Sequence, residues 1–214
     1  MQGYDTVAEL TLCQEETLES IVPDACPDIL RIVDVCGQAM LHSKQVKNGA
    51  AELGGLVRAV ILYDPDGGAG PRRMEVGLPF RCQAEAPGLT EQGRVLARPR
   101  LRCAEARALN SRKVLLRVDL AVDVTACQPV EQPLCRGVLD PERGCVCQRC
   151  REQVCGLLSA VEEKPFTFSQ RVRLPAGQGE PPQVMALWAE AECAECKRVG
   201  AKLIFKGEVR RKAV

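Results

Sequence analysis

Residues 27–63 read PDILRIVDVCGQAMLHSKQVKNGAAELGGLVRAVILY, and the reading of this stretch decides the fold. Its opening places apolar side chains at Ile29, Leu30, Ile32 and Val33, the i, i+1, i+3, i+4 spacing that gathers on one face of a short helix. Pro27 suits a first helical turn, because its φ is already fixed there and its missing N–H would have had no partner, and Asp28 favours the positive helix start. The spacing therefore predicts a helix led by Pro27. Beyond it the period changes to two. Gly37 to Val46 reads as a strand, Lys47-Asn48-Gly49 as a tight turn, and Leu53 to Tyr63 as the returning strand. Val57, Ala59, Ile61 and Tyr63 alternate with Leu56, Val60 and Leu62, so both faces are apolar apart from Arg58, as in a central strand covered on both sides.

The arrangement occurs again further along. Val184, Met185, Leu187 and Trp188 follow Pro181 and Pro182 and stand 155 positions after Ile29, Leu30, Ile32 and Val33. Gly55, Val57 and Arg58 likewise return as Gly207, Val209 and Arg210. The pattern indicates one full and one partial copy of a single unit, each with one short helix.

Outward from the centre, the strand signals are those of an antiparallel protein. Val7 to Leu12 and Leu18 to Val22 are two apolar stretches, each long enough for a strand ahead of the helix. Met74, Val76, Leu78, Phe80, Cys82 and Ala84 alternate with Glu75, Arg81 and Gln83, while Pro79 points to an edge or a bulge. Ala97, Leu101 and Cys103 alternate with Arg98, Arg100 and Arg102, after which the phase slips to Ala104, Ala106 and Ala108, the mark of a β-bulge. Asn110 to Lys113 supplies a turn, and Val114, Leu116, Val118, Leu120, Val122 and Val124 then share one face. The predicted fold is all-β, a mainly antiparallel sandwich or partly closed barrel with one short helix per repeat. Its expected parts are a β domain over residues 1–128, a cysteine-rich linker over 129–164 and a partial second repeat over 165–214.

The proline-led PDILRIVDV, the strand GGLVRAVILYDPDG, the run VGLPFRCQAEAPG and the hairpin ALNSRKVLLRVDLAVDV together resemble the SPOCS domain, found in spore-coat-associated and spore-morphogenesis proteins of endospore-forming bacteria. The resemblance covers roughly residues 15 to 127, and a second, incomplete copy would begin near EKPFTFSQRVRLP. It implies a non-enzymatic scaffold in coat and cortex assembly, on the mother-cell side of the forespore surface. The implied partners are other spore morphogenetic proteins, with the ATPase that polymerises beneath the coat among them. Family members often carry several copies and end in a LysM module. Here the sequence stops inside the second copy, at KGEVRRKAV, as a fragment or a shortened member would.

Composition narrows the function classes further. Aromatic residues make up 3% of the 214 residues, too few for the stacking platforms of single-stranded nucleic-acid binders, so the core must be aliphatic. A net charge of +1 gives no bulk field for nucleic acid or an anionic membrane, and the Arg98, Arg100, Arg102 stripe and the Arg210, Arg211, Lys212 run read as solvated strand faces. MQGYDTVAELTL lacks the basic start and apolar run of a secretory signal, and no stretch reaches the ~18 apolar residues of a membrane span. The expected location is the cytoplasm.

Candidate chemistry is sparse. Cys147/Cys150 and Cys193/Cys196 are two Cys-x-x-Cys pairs, and with Cys145 and Cys155 nearby they offer thiolates for tetrahedral zinc. Against a metal stand the odd total of 13 cysteines and the unpatterned remainder, among which Cys36, Cys82 and Cys103 sit where the alternation calls for an apolar side chain. Asp66-Gly67-Gly68-Ala69-Gly70 lacks the Gly-Lys-Ser/Thr ending of a phosphate loop and reads as a hairpin loop. His42 is the only histidine and has no nucleophile signature beside it, and no carboxylate pair is singled out by spacing. Trp188 is the only tryptophan, placed within the second expected helix and therefore a poor glycan platform. No catalytic, cofactor or metal residue is assigned. The reading is an interaction protein that binds through an exposed strand edge or the arginine stripe and self-associates through its C-terminal strand. The alternative is a zinc-stabilised module built from Cys145–Cys155 with Cys193 and Cys196.

Overall fold

The computed structural model describes residues 2–68, 70–131, 133, 154, 156–171 and 184–213. Six strands make two facing antiparallel sheets: β1 (Gln2–Ile21), β2 (Ile29–Lys47), β3 (Ala50–Pro65), β4 (Arg72–Glu85), β5 (Arg94–Asn110) and β6 (Lys113–Glu131). One sheet runs β1-β6-β5 and the other β2-β3-β4. A separate hairpin pairs β7 (Leu187–Val199) with β8 (Lys202–Ala213). The antiparallel β reading is right. Closure into a barrel is not: β2 approaches β5 and β1 approaches β4, but neither seam is a hydrogen-bonded strand pair.

The core lies between the sheets. From β6, Val114, Leu116, Val118, Leu120, Val122 and Val124 are buried, facing Leu53, Val57, Ala59, Ile61 and Tyr63 of β3 and Met74, Val76, Leu78 and Phe80 of β4. Each such side chain contributes about 1.5–3 kcal/mol relative to exposure. β3 is central, as its two apolar faces suggest, although its outer face is only partly closed: Leu62 is buried while Leu56 and Val60 are half-buried and Arg58 is exposed. Pro79 and Pro99 lie on the edge strands β4 and β5, where a missing N–H leaves no ladder bond unmade.

The first expected helix is a strand instead, the second is irregular chain leading into a strand, and the described residues contain no helix. The strand register explains how PDILRIVDV imitates one. Ile29 pairs with Pro65, Arg31 with Asp64, Ile32 with Tyr63, Asp34 with Leu62 and Val35 with Ile61, so Leu30 and Val33 are extra residues at two successive bulges. Ile29, Ile32 and Val35 consequently face the core three residues apart, whereas Leu30 is 68% and Val33 53% exposed. A strand bulged twice thus has the apolar spacing of a helix, and the β-branched Ile29, Ile32, Val33 and Val35 favour the strand. In the second copy Val184 to Ala186 are outside any regular element, and Leu187 and Trp188 open β7.

Two further expectations are corrected. Val7 to Leu12 and Leu18 to Ile21 belong to one 20-residue strand, with Val22 just beyond its end, and the inward run Leu10, Leu12, Leu18 is broken by the half-buried Gln14 and Glu16. Cys103 is exposed, because the bulge in β5 falls at Arg102, one residue earlier than the phase slip suggests, and returns Ala104 to the inner face. Of the expected linker 129–164, Pro129 to Glu131 complete β6 and residues 156–164 are described as a chain with one bridge, Leu158 to Tyr4. Cys145, Cys147, Cys150 and Cys155 lie outside the described residues.

The connection from β1 to β2, residues 22–28, is held to the β5–β6 turn by one side chain. Arg112 donates to the carbonyls of Cys26 (2.7 Å) and Val22 (3.0 Å) and to the carboxylates of Asp24 and Asp28 (3.2 Å each). Backbone bonds from Val22 N to Arg112 O and from Ile29 N to Ser111 O flank it, and the buried Tyr63 hydroxyl donates to Pro27 O. The loop carrying Pro27 is thereby tied to both sheets.

Candidate functional site

The hairpin β7–β8 corresponds in the repeat to β2–β3, and its geometry follows from the same local chemistry. Asn48 and Gly49, both at positive φ, turn the first hairpin, and Gly200 at φ 61° opens the two-residue turn of the second. Across the ladder Glu195 opposes Lys206 and Glu190 opposes Arg210; Glu192 bonds Arg210 at 3.2 Å, and Lys212 lies 5.4 Å from the centre of the Trp188 ring. Trp188 therefore serves a strand, not a helix. Gly207 is required: a Cβ there would stand 2.1 Å from the Glu192 carbonyl oxygen.

The two faces of this hairpin differ. Residues directly opposed share a face, so Leu187, Ala189, Ala191 and Cys193 of β7 lie with Ala213, Arg211, Val209 and Gly207 of β8, and Cys196 and Arg198 with Phe205 and Leu203. The slip between Cys193 and Glu195 puts both cysteines on this side, whereas a regular strand would send residues three apart to opposite sides. The other face carries Lys202, Ile204, Lys206, Glu208, Arg210 and Lys212 from β8. In the first copy the matching inner face of β3 is covered by the opposite sheet; here Leu187, Leu203 and Phe205 are 67%, 61% and 65% exposed.

Beside that face runs the chain from Ala160 to Phe168. Its alternate residues Ala160, Glu162, Lys164, Phe166 and Phe168 line a groove of about 970 Å³ whose other wall is Leu203, Phe205 and Val209. The rings of Phe166 and Phe168 stack with centroids 6.3 Å apart. The sequence reading assigned no role to these two phenylalanines; their i, i+2 spacing beside an apolar strand was the available signal.

The arginine stripe is less free than its exposure suggests. Arg100 forms a two-pronged bond to Asp123 at 2.7 and 2.9 Å, Arg98 stands 3.9 Å from Glu190 of β7, and Arg102 points at the Cys13 sulfur at 3.7 Å. The Arg100 bond, with help from the Thr11 hydroxyl, holds the Asp123 carboxyl below the ordinary carboxylate range, and the same bond raises Arg100. Arg117 is raised by its bond to Glu15. These pairs tie β1, β6 and β5 together across the outer face of their sheet.

His42 is exposed on β2. It borders a polar groove of about 700 Å³ over Gly54, with Ser43, Lys47, Glu52, Arg81 and Gln83 around it. The glycine-rich Asp66 to Gly70 connects β3 to β4, as read. Burial pushes the Cys82 thiol up, and burial with the nearby Asp34 carboxylate does the same for Cys36. Among the described residues, no three His, Cys, Asp or Glu side chains gather as a metal site, and no helix is long and apolar enough to cross a membrane. Comparison with protein-family models, curated proteins and solved structures finds no match.

Proposed function

We propose that the chain is a non-enzymatic scaffold or interaction protein of the endospore envelope, acting in coat and cortex morphogenesis from the mother-cell cytoplasm at the forespore surface. The sporulation context comes from the resemblance of PDILRIVDV, GGLVRAVILYDPDG, VGLPFRCQAEAPG and ALNSRKVLLRVDLAVDV to the SPOCS domain. The observation that carries the interaction reading is the open apolar face of β7–β8, a surface of the kind that marks binding sites. Its partners under this reading are spore morphogenetic proteins, the coat-basement ATPase included, and a second copy of the chain. A fluorescent fusion in a sporulating endospore former, combined with photo-cross-linking from position 205 on that face, tests it. A ring at the forespore surface with cross-links to coat proteins is expected; fluorescence spread evenly through the mother cell, with no cross-linked partner, overturns it.

One observation favours a second reading, in which Cys193 and Cys196 supply half of a zinc site completed from Cys145–Cys155. The bulge at Ala194 sets both sulfurs on one side of β7. Stoichiometric zinc that disappears in Cys193→Ser would establish this reading, whereas metal-free protein with an unchanged thermal midpoint in chelator removes it.

A further inference from the structure

The open face of the hairpin is flanked by two features that decide what seats on it. We propose that this face takes the same face of a second copy of the chain, the two β7–β8 hairpins stacking about a two-fold axis. The inference deepens the interaction reading and rests on it only for its biological meaning.

Area is the first argument. Leu187, Leu203, Phe205, Val209, Phe166 and Phe168 are 67, 61, 65, 36, 77 and 59% exposed. At ~200 Å² for a large apolar side chain they offer on the order of 700 Å² per protomer, near the ~800 Å² a partner contributes to a stable interface. The second argument is the rim. Glu162 and Lys164 share it, with Arg198 and Arg211 on the hairpin side, and such mixed signs are self-complementary, because a two-fold can bring a carboxylate of one copy to a cation of the other.

The third argument excludes the obvious rival, pairing of β8 edge to edge. Two antiparallel β8 strands would bring Lys202, Lys206, Arg210, Arg211 and Lys212 of one copy beside their counterparts with only Glu208 of opposite sign, and like charges across a ladder destabilise it. Stacking by the apolar face leaves most of those cations pointing to solvent. The first copy gives the precedent, since there the equivalent face packs on another sheet as one half of a sandwich.

Sedimentation equilibrium on the full chain tests the proposal, with Phe205→Asp on the apolar face and Ile204→Asp on the opposite face of the same strand. The expected result is a reversible dimer in the micromolar range, weakened about tenfold or more by Phe205→Asp, as for a buried interface anchor, and little changed by Ile204→Asp. Cross-strand contacts of β5 and β6 in an NMR spectrum show that each variant still folds. Leu203→Ala, which adds no charge, must weaken the dimer in the same direction. A chain that stays monomeric at ~100 µM, well above a micromolar dissociation constant, overturns the proposal, as does a dimer that both aspartates weaken equally. A monomer that still locates to the forespore removes the stacking and leaves the interaction reading; a dimer spread evenly through the cell does the reverse.

Discussion

Replacing Arg112 by alanine deletes four hydrogen bonds at once, and the structure allows the cost to be apportioned. The two bonds to the Cys26 and Val22 carbonyls are made by a guanidinium that is 33% exposed, and Val22 itself is buried. Hydrogen bonds to a charged group contribute about 1.5–3 kcal/mol each when water is excluded, so partial exposure places these two near the lower end, about 2–3 kcal/mol together. Asp24 is fully exposed and adds nothing measurable, and the half-exposed Asp28 adds a few tenths of a kcal/mol. Arg112→Ala should therefore lose about 2–3 kcal/mol in urea unfolding with an unchanged slope, equivalent to roughly 6–15 °C in thermal midpoint for a domain of this size. Arg112→Lys keeps the charge but cannot reach both carbonyls with one ammonium, so it should recover less than half of the loss. A loss below about 0.5 kcal/mol, the scale of an ordinary surface substitution, would refute the reasoning. So would a lysine variant as stable as the parent, because charge and not the fork would then hold the loop.

Asp123→Asn should destabilise at neutral pH, since a carboxyl held low by Arg100 and Thr11 stabilises the fold above its unfolded value. The gap to the parent should begin to narrow as pH falls below about 4, where the unfolded chain takes up the proton, and should vanish only at the lower pH where the folded carboxyl is protonated too; a gap independent of pH would deny the pairing. Gly55→Ala should cost about 1–3 kcal/mol or more in denaturant, as overpacking does, because the new Cβ would stand 2.2 Å from the Phe80 ring and 2.5 Å from the Met40 carbonyl oxygen. Thiol labelling in native buffer should reach the exposed Cys13 and Cys103 first, lag at Cys36 and Cys82, whose thiols burial pushes up, and reach the buried Cys127 only on unfolding. Labelling of Cys103 as slow as Cys127 would return it to the core.

Sequence order revealed most of the sandwich because period-two alternation survives wherever a strand is regular and one face is buried. β4 and β6 are such strands, and even the slip in β5 was visible to within one residue. Reading failed where bulges accumulate. At Leu30 and Val33 two extra residues change the period from two to three, and no single-sequence pattern separates that from a helical stripe. The polar Gln14 and Glu16 divided one edge strand into two for a similar reason, since an edge tolerates polar side chains at inward positions that a central strand does not. Of the candidate site, β8 was legible as a strand available for self-association, but the apolar face it shares with β7 was not. Arg112 was not, because a side chain that bonds backbone carbonyls leaves no matching residue type elsewhere in the chain. Nor was the seating of Phe166 and Phe168 beside Phe205, which depends on where residues 156–168 cross the end of β1.

The central claim is that β7–β8 is an uncovered counterpart of β2–β3, closed by a second copy. Amide hydrogen exchange by mass spectrometry, run on the full chain across a protein concentration series, reads both hairpins in one experiment. Protection of Leu53 to Tyr63 should be high and independent of concentration, while protection of Leu203 to Val209 should start low and rise through the dimer range. If Leu203 to Val209 are as protected as Leu53 to Tyr63 at the lowest concentration, or stay unprotected at the highest, the account is wrong.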